Sequence, residues 1–281
     1  MAELFQHQPI EDVPPLGTVE RWAWDYLVSR DLQWKLEPPR PPKLWESHAP
    51  PRRVEQPGRP PELQVIRRSA RTPGPDAIRD PEKRARLLHT FLHHELQAAE
   101  LFCWTLLCFP EAPRPFKGGL VHIALDEVRH MQMYERHLLS LGFKFGDFPV
   151  RDWFWERVPA CASPAHFVAV MGMGFEGANL DHAPRFADRL AAVGDREGAA
   201  ILRTIELEER PHVRFALRWF RRFLKLQKDE DFGLWIEHLP APLSPIWMRG
   251  SPINRKSRML AGFSDLFLDE LSRWMDRPLG S

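Results

Sequence analysis

The chain has 281 residues, of which 43% are hydrophobic, and its 39 Lys and Arg side chains against 38 Asp and Glu leave a formal net charge of +1. That length and apolar fraction are enough for a sizeable core in one large domain or two small ones. A charge so close to neutral excludes the general attraction to nucleic acids or anionic membranes that a strongly basic chain has, so neither is expected as a partner.

The first predicted element is an amphipathic helix at residues 18–37, with Thr18 as its N-cap. Residues 38–61 then contain nine prolines in 24 positions, which excludes a helix or a central strand and predicts an extended segment. Residues 1–80 hold twelve basic and twelve acidic side chains, a balance that does not favour a nucleic-acid-binding arm. We therefore expect residues 1–80 to form a helix and a proline-rich segment, either a strap lying on the domain or a loose arm.

Four long helices are predicted within residues 81–228. Each begins at a capping residue or a proline, and apolar residues recur along each with helical periodicity. The four predicted helices are 81–109, 115–141, 163–183 and 195–227. A shorter helix at 257–275 belongs to a C-terminal extension, 229–281, that is expected to pack on the others, and no stretch alternates as a strand does. The sequence therefore predicts an all-α fold, a four-helix bundle with extra helices at both ends.

The cysteines and the N-terminus bear on the cellular compartment. Cys103, Cys108 and Cys161 are odd in number and form no CxxC pair, which favours buried thiols in a reducing environment over a disulfide framework. The first fifteen residues lack the basic and apolar regions of a signal peptide, and no window of about 18 apolar residues exists to span a membrane. A cytoplasmic protein is expected.

A pattern of glutamate and histidine recurs on the four helices. A single glutamate on the first and third helices is followed, 32 and 33 residues later, by Glu-x-x-His on the second and fourth. The residues of this pattern are Glu95, Glu127 and His130 in the first half, and Glu176, Glu209 and His212 in the second half. The chain thus contains two matched half-bundles with the same residue types at the same spacing.

This pattern predicts a di-metal site. Residues at i and i+3 share one helix face, so each Glu-x-x-His directs a carboxylate and an imidazole the same way. Four carboxylates buried together need cations, and mixed oxygen and nitrogen ligation suits two iron ions, with manganese as the alternative. A single Glu-x-x-His is usually just part of a solvated helix face. Here, however, Glu127 follows "HIALD" and Glu176 lies in "VMGMGFEGA", both apolar surroundings.

The sequence resembles the ferritin-like superfamily and, within it, an uncharacterised group with a domain of unknown function. The similar stretches are "RARLLHTFLHHELQAAEL", "LDEVRHMQMYERHLLSLG", "FEGANLD", "EERPHVRFALRWF" and "INRKSRMLAGFSDLF", and the resemblance extends from about Pro57 to the end. It implies that Glu95 and Glu176 are terminal ligands and that Glu127 and Glu209 bridge the two metals. His130 and His212 would each bind one metal.

Each Glu-x-x-His is preceded by another acidic residue. The "DEVRH" form resembles the motif of oxygen-activating di-iron monooxygenases, in which the extra acid and the arginine orient the histidines. The resemblance assigns this orienting role to Asp126, Arg129 and Glu208. A surface charge one position off the metal face is the alternative for Glu208.

Three further side chains are proposed to border a substrate pocket: Tyr134, one turn past His130, and the pair Asp181 and His182, which follow Glu176. Packing in the core is the alternative for Tyr134. The glycines crowded around Glu176 either allow a close approach of two helices or leave a channel to the metals. Basic residues from Arg214 to Lys225 recur at helical spacing. We interpret them as a solvent-exposed stripe near a helix C-terminus, where the helix dipole favours positive charge. Binding of RNA phosphates is the alternative.

Pro211 lies between the two residues of the second Glu-x-x-His. A proline inside a helix removes one hydrogen bond and costs about 3 kcal/mol. A helix that began at Pro211 would leave Glu209 outside it, where it could not share a face with His212. We therefore predict that the helix continues through Pro211, kinked or bulged, with the Leu207 carbonyl lacking its usual donor.

The expected activity is that of a di-iron oxidase or monooxygenase, which uses dioxygen to oxidise a small organic substrate. The electrons would come from an external donor or from the substrate itself. A ferroxidase or iron-storage protein and a peroxide-scavenging protein are the alternatives. A tRNA-modifying hydroxylase is a further alternative, which the near-neutral charge disfavours. A monomer or homodimer is expected, because a proline-rich N-terminal segment fits poorly into a storage cage.

Overall fold

The computed structural model describes residues 13–67, 77–227 and 230–275. Within these ranges every regular element is a helix, and strand-like pairing is limited to the isolated bridges Thr18–Leu44 and Val65–Val150. The all-α prediction is thus confirmed for the described part of the chain. The predicted segments 1–80 and 229–281 lie partly outside it, as does most of the stretch in which a signal peptide was not expected.

The helices fall into an N-terminal group, four long segments and a C-terminal group. The N-terminal helices are α1 (Val19–Val28) and α2 (Leu32–Leu36). The long segments are α3 (Pro81–Cys108), α4 (Arg114–Ser140), α5 (Pro164–Val168) continued by a π-helical stretch (Ala169–Glu176) into α6 (Gly177–Ala192), and α7 (Arg196–Phe223). The C-terminal helices are α8 (Phe232–Glu237), α9 (Arg255–Ala261) and α10 (Asp265–Arg273). Short 3-10 turns lie at Ala77–Arg79, Val158–Ala160 and Pro245–Met248.

Capping residues begin the long helices where the sequence predicted. Asp80 accepts hydrogen bonds from backbone N–H groups in the first turn of α3, Ser163 accepts from His166 N, and Asp195 accepts from Gly198 N. The residue after the cap is a proline in the first two cases, where its missing N–H costs no hydrogen bond, and an exposed arginine in the third. The short connections make α3–α4 and α6–α7 two helical hairpins, and α4 packs against α7 to join them. The third helix is longer than predicted, because it continues through Pro184 to Ala192.

The N-terminal helix is interrupted, whereas residues 18–37 were predicted as one helix. Thr18 caps α1 as expected, but α1 ends at Ser29 and a second cap, Asp31, starts α2 by accepting from Gln33 N and Trp34 N. Ser and Asp side chains compete with the helix backbone for hydrogen bonds, which explains a break at this point.

The proline-rich segment lies on the helices as a strap. It has no helix or strand, as predicted, and its side chain Val54, like Leu63 just after the segment, belongs to the hydrophobic core. Backbone hydrogen bonds tie it to the helices: Arg52 N donates to Leu107 O in α3, and Gly58 N donates to Leu27 O in α1. The strap therefore contributes to the core of the helical domain.

The third long helix contains a π-helical stretch that ends at Glu176. Gly177 N donates to Gly172 O, five residues back, as the wider turn requires. Trp235 Nε1, on α8, donates to the carbonyl of Ala169 at the start of the stretch. A Cβ at Gly172 would collide with that of Ala216 on α7, so this glycine permits a close approach of the two helices.

Helix α7 runs through Pro211, which confirms that the proline does not start a new helix. The α-helical pattern is continuous from Arg196 to Phe223, so the bulge suggested for Pro211 is wrong for this helix. Leu207, whose carbonyl lacks the proline N–H, is 54% exposed, and water can therefore reach this part of the helix. The wider turn lies in the third helix instead, where it ends at Glu176.

The closing helix predicted at 257–275 is two helices. Gly262 ends α9 with φ +112°, a left-handed conformation that a glycine adopts without strain, and Ser264 caps α10. Helix α9 packs against α6 and α7. Among the described residues, no helix combines the length and the apolar character that crossing a bilayer requires.

Candidate metal centre

Four helical segments bring six predicted residues into one buried cluster. Ligand atoms lie within 4.8 Å of one another in two overlapping groups. The first group is Glu95, Glu127, His130 and Glu209, and the second is Glu127, Glu176, Glu209 and His212. All six side chains are buried. Because Glu127 and Glu209 belong to both groups, the cluster consists of two four-residue sets that share a pair of carboxylates.

The histidines direct Nδ1 into this cluster. His130 Nδ1 lies 3.3 Å from Glu127 Oε2, and His212 Nδ1 lies 3.2 Å from Glu209 Oε2. His212 Nδ1 is also 3.1 Å from Glu127 Oε1, on the other helix. Each Glu-x-x-His therefore acts as the sequence pattern requires, with carboxylate and imidazole on one helix face.

Burial and mutual repulsion prevent full ionisation of the four carboxylates. Burial and the charge of Glu127 raise the pKa of Glu95 well above its usual range. Burial and the charge of Glu209 do the same for the pKa of Glu176. Burial opposes protonation of His130, but the carboxylates of Glu127, Glu208 and Glu95 together outweigh it and raise the His130 pKa. Positive charge must therefore be supplied to this cluster, either as protons or as bound cations.

The oxygen atoms of Glu176 are available to bind a metal ion, because no described protein group donates a hydrogen bond to them. Both are buried and lack a hydrogen-bond partner among the described residues, which is costly for a carboxylate in the apolar π-helical stretch. Glu127 Oε1 also lacks a partner with hydrogen-bond geometry there. Oxygen and imidazole donors without thiolate are the set that iron and manganese bind, so the residues present fit the two implied metal ions.

Outside the cluster, each histidine is held by an acid from the opposite helix. His212 Nε2 lies 3.0 Å from Asp126 Oδ2, and His130 Nε2 lies 3.0 Å from Glu208 Oε2. Arg129 joins the two acids, with Nη1 2.5 Å from Glu208 Oε2 and Nη2 2.7 Å from Asp126 Oδ1. The arrangement is reciprocal: each acid preceding a Glu-x-x-His holds the histidine of the other one.

These contacts keep both outer acids ionised. Burial opposes ionisation of Asp126, but hydrogen bonds from His212 and Arg129 outweigh it and lower its pKa to about 2. The hydrogen bond with His130, followed by that with Arg129, lowers the pKa of Glu208. An ionised acceptor at Nε2 fixes a proton there, so a cation that displaced the Nδ1 proton would meet an inward-directed lone pair, as a metal ligand needs.

The pocket residues predicted from the sequence have different positions. Tyr134 is buried beside the cluster, with its ring 6.1 Å from that of Phe91. Burial, followed by the charge of Glu95, raises the Tyr134 pKa well above its usual value, so the phenol keeps its proton. His182 is half-buried, and burial lowers its pKa.

Asp181, which was predicted to border a pocket, has its carboxylate in a buried ion pair. Its carboxylate accepts from Arg258 Nε and Nη2 at 3.0 and 2.8 Å, and from the backbone N–H groups of Gly250 and Asn254 at 2.7 Å. These donors occupy both oxygens, and the Asp181–Arg258 pair is fully buried. Asp181 instead fastens the C-terminal extension to α6, a role that depends on contacts with residues about seventy positions away.

Two features of this region were missed from the sequence. Asn179 Nδ2 donates to Glu209 Oε1 at 3.2 Å; its position three residues after Glu176, on the same helix face, was the available signal. One turn past Glu95, the buried Glu100 accepts from Lys35 Nζ at 2.7 Å and Arg59 Nη1 at 2.6 Å. Nothing local in the sequence indicates that these two cations reach Glu100.

The fold and site define an all-helical protein with a buried carboxylate–histidine cluster. The chain belongs to the family described as protein of unknown function DUF455, whose model matches residues 20–269. The match includes α1 and the strap, and so begins well before Pro57, where the resemblance was expected to start. An uncharacterized protein of Haemophilus influenzae is 27% identical over 193 residues, which is 66% of each chain and so just under two thirds of that relative's length. No solved structure matches the chain.

Proposed function

We propose that this protein is a ferritin-like four-helix bundle that binds two divalent metal ions, iron with manganese as the alternative. Glu95, His130 and the shared pair Glu127 and Glu209 would hold one ion. Glu176, His212 and the same shared pair would hold the other. The observation that carries the proposal is the overlap of the two four-residue groups, since sharing two carboxylates is what a pair of neighbouring cations requires.

We further propose that the protein is an oxidoreductase that uses dioxygen to oxidise an organic substrate. Two bound iron ions would supply the redox equivalents and the site of reaction with dioxygen. The reciprocal pairs with Asp126 and Glu208 support this role, because they hold both imidazoles in one tautomer and orientation. Tyr134 supports it as a protonated phenol beside the cluster, able to donate a hydrogen bond.

The burial of the cluster also favours redox chemistry over simple structural metal binding. All six side chains are withdrawn from bulk water, so water has little access to reactive species formed at the site and side reactions with it are suppressed. Glu176, whose oxygens have no protein donor among the described residues, is the ligand least restrained by hydrogen bonds. It can therefore change its binding mode with little loss of other contacts.

Dioxygen uptake tests this activity. Protein loaded anaerobically with Fe(II) and supplied with a chemical reductant is mixed with oxygen in an oxygen electrode, alongside Glu176→Gln and the exposed control Asp188→Asn on α6. We expect repeated oxygen consumption by the wild type and the control and at least a tenfold slower rate for Glu176→Gln. Uptake no faster than that of free iron would contradict the proposal.

Iron stoichiometry and size distinguish the alternatives. A storage protein would accumulate many irons per chain and elute from size-exclusion chromatography as a large shell, whereas we expect two irons per chain and a monomer or dimer. A peroxide scavenger would turn over hydrogen peroxide faster than dioxygen under the same conditions. Either result would replace the oxidase proposal while leaving the two-metal site intact.

A further inference from the structure

A basic groove lies on the far part of α7, beyond the cluster. Its volume is about 620 Å³. The lining residues are Arg214, Leu217, Arg218, Arg221, Arg222, Lys225, Leu226 and Gln227 from α7 and the residues after it, with Ala261 and Gly262 at the end of α9. Its rim is cationic and its floor is apolar, formed by Leu217, Leu226 and Ala261.

Most of this positive charge is not neutralised. Arg221 pairs with Glu230, and Arg214 donates to the carbonyl of Leu260. Among the residues that the structure describes, Arg218, Arg222 and Lys225 have no carboxylate partner, and all three are exposed. Residues 211–227 contain no aspartate or glutamate. A local field of one sign therefore persists on a chain whose net charge is only +1.

The helix dipole does not account for all of these cations. Its effect is limited to the last turn of a helix, and α7 ends at Phe223. Arg214 and Arg218 lie before that turn. Arg214 with Arg218, and Arg218 with Arg222, are also like-charged pairs at i and i+4, a spacing that destabilises a helix. Clustering these side chains costs stability, which indicates that an anion compensates them.

We propose that this groove binds a small molecule that carries at least two phosphate groups on an apolar or aromatic body. Guanidinium groups bind phosphate oxygens in pairs. Arg218 and Arg222 lie over the rings of Phe215 and Trp219, contacts that leave their N–H donors without a carboxylate partner among the described residues. The apolar floor between α7 and α9 receives the body of the ligand. The volume of the groove lies within the range of small-molecule sites.

The shape of the surface favours a small molecule over a macromolecule. The cations surround a concave space with its own apolar floor, whereas a membrane or a nucleic-acid strand needs a flat or extended basic face. Of the basic residues of α7 outside the groove, Arg203 is paired with Asp188 and Arg210 with Glu206. The positive face is thus confined to the groove.

Calorimetric titration with ATP tests the inference, with adenosine and inorganic tripolyphosphate as the probes that lack the phosphates or the apolar body. The groove variant is Arg218→Gln/Arg222→Gln. The charge-matched control is Arg196→Gln/Arg203→Gln, on the same helix but outside the groove. All four positions are exposed, so the variants are expected to fold, which circular dichroism verifies.

We expect ATP to bind more tightly than tripolyphosphate, adenosine not to bind, and the groove variant to weaken ATP binding at least about tenfold while the control stays within about twofold. The proposal is overturned if ATP does not bind at about 1 mM in low salt, or if the control loses as much affinity as the groove variant. It is also overturned if anionic phospholipid vesicles or an RNA oligonucleotide bind more tightly than ATP and lose that binding in the groove variant.

Discussion

His212 Nε2, on α7, lies 3.0 Å from Asp126 Oδ2, on α4, so the acid of one Glu-x-x-His motif holds the histidine of the other. The pair Glu208–His130 makes the same contact in the opposite direction. This reciprocity couples α4 and α7 outside the six inner residues. It also makes the orientation of each imidazole depend on both helices.

Replacement of the outer acids should weaken metal binding without changing the number of sites. For Asp126→Asn and for Glu208→Gln we expect metal affinity to fall by about 10- to 100-fold, because the imidazole loses the acceptor that fixes its tautomer. Competition with a chelator of known affinity measures this, with Asp188→Asn as the control. Affinity equal to that of the wild type would mean that these acids are only surface charges.

Replacement of the inner glutamates should show which residues belong to each of the two metal sites. Because Glu95 and Glu176 each belong to one group, Glu95→Gln and Glu176→Gln should each lower the metal content from two ions per chain to one. Glu127→Gln, which alters a shared carboxylate, should lower the affinity of both. Elemental analysis after loading and desalting gives the counts; equal losses in all three variants would argue against two overlapping sites.

Two glycines of the long helices should respond oppositely to alanine. Gly172→Ala places a Cβ against that of Ala216, closer than two carbon atoms can approach, and should lower the free energy of unfolding by about 1–3 kcal/mol. Gly118→Ala, on α4, meets nothing within 4 Å and should raise it by about 0.5–1 kcal/mol. Urea denaturation measures both. If both variants are destabilised alike, close packing at the π-helical stretch is not the reason for Gly172.

The buried carboxylate of Glu100 should be essential for holding the strap. Glu100→Gln leaves Lys35 and Arg59 without their shared anion in the core, a change that should cost about 3–5 kcal/mol. Glu156→Gln makes the same chemical change in a partly exposed ion pair with Arg151 and should cost less than about 1 kcal/mol. Thermal or chemical unfolding compares them, and similar losses would refute the role given to Glu100.

His89 should make stability depend on pH below neutrality. Burial lowers the pKa of His89 to about 4, and its Nε2 accepts from Gly146 N at 2.8 Å, which only the neutral ring can do. The unfolded chain, with a pKa near 6.5, takes up this proton first as the pH falls, so stability is lost between about pH 6.5 and pH 4. This group accounts for at most about 3 kcal/mol.

The variant His89→Gln isolates that contribution, because its amide oxygen accepts the same hydrogen bond but does not titrate. The wild type should lose more unfolding free energy than the variant between pH 6.5 and pH 4, as followed by urea denaturation across the range. Identical slopes for the two proteins would exclude His89 as the source.

Local signals in the sequence were sufficient for the long helices and for the six inner residues. Caps such as Asp80 and Asp195 accept hydrogen bonds from backbone N–H groups no more than three residues later. The Glu-x-x-His spacing depends only on helix geometry. The proximity of the two halves followed from their matched spacing. The continuation of α7 through Pro211 followed from the requirement that Glu209 and His212 share a face.

The remaining features depend on contacts between distant residues, which no local pattern encodes. The wider turn of the third helix is stabilised by Trp235 and by the fit of Gly172 against Ala216, whereas the sequence predicted a kink or a bulge at Pro211. The role of Asp181 likewise depends on Arg258, far along the chain. In both cases tertiary packing determines what the side chain or the backbone does.

Anomalous diffraction from crystals of iron- or manganese-loaded protein, recorded at the absorption edge of the metal, tests the central claim most directly. We predict two separate peaks, one among Glu95, Glu127, His130 and Glu209, and the other among Glu127, Glu176, Glu209 and His212. No peak in this cluster from protein that has been loaded with metal, or a single peak that leaves Glu95 or Glu176 without a metal, would contradict the account.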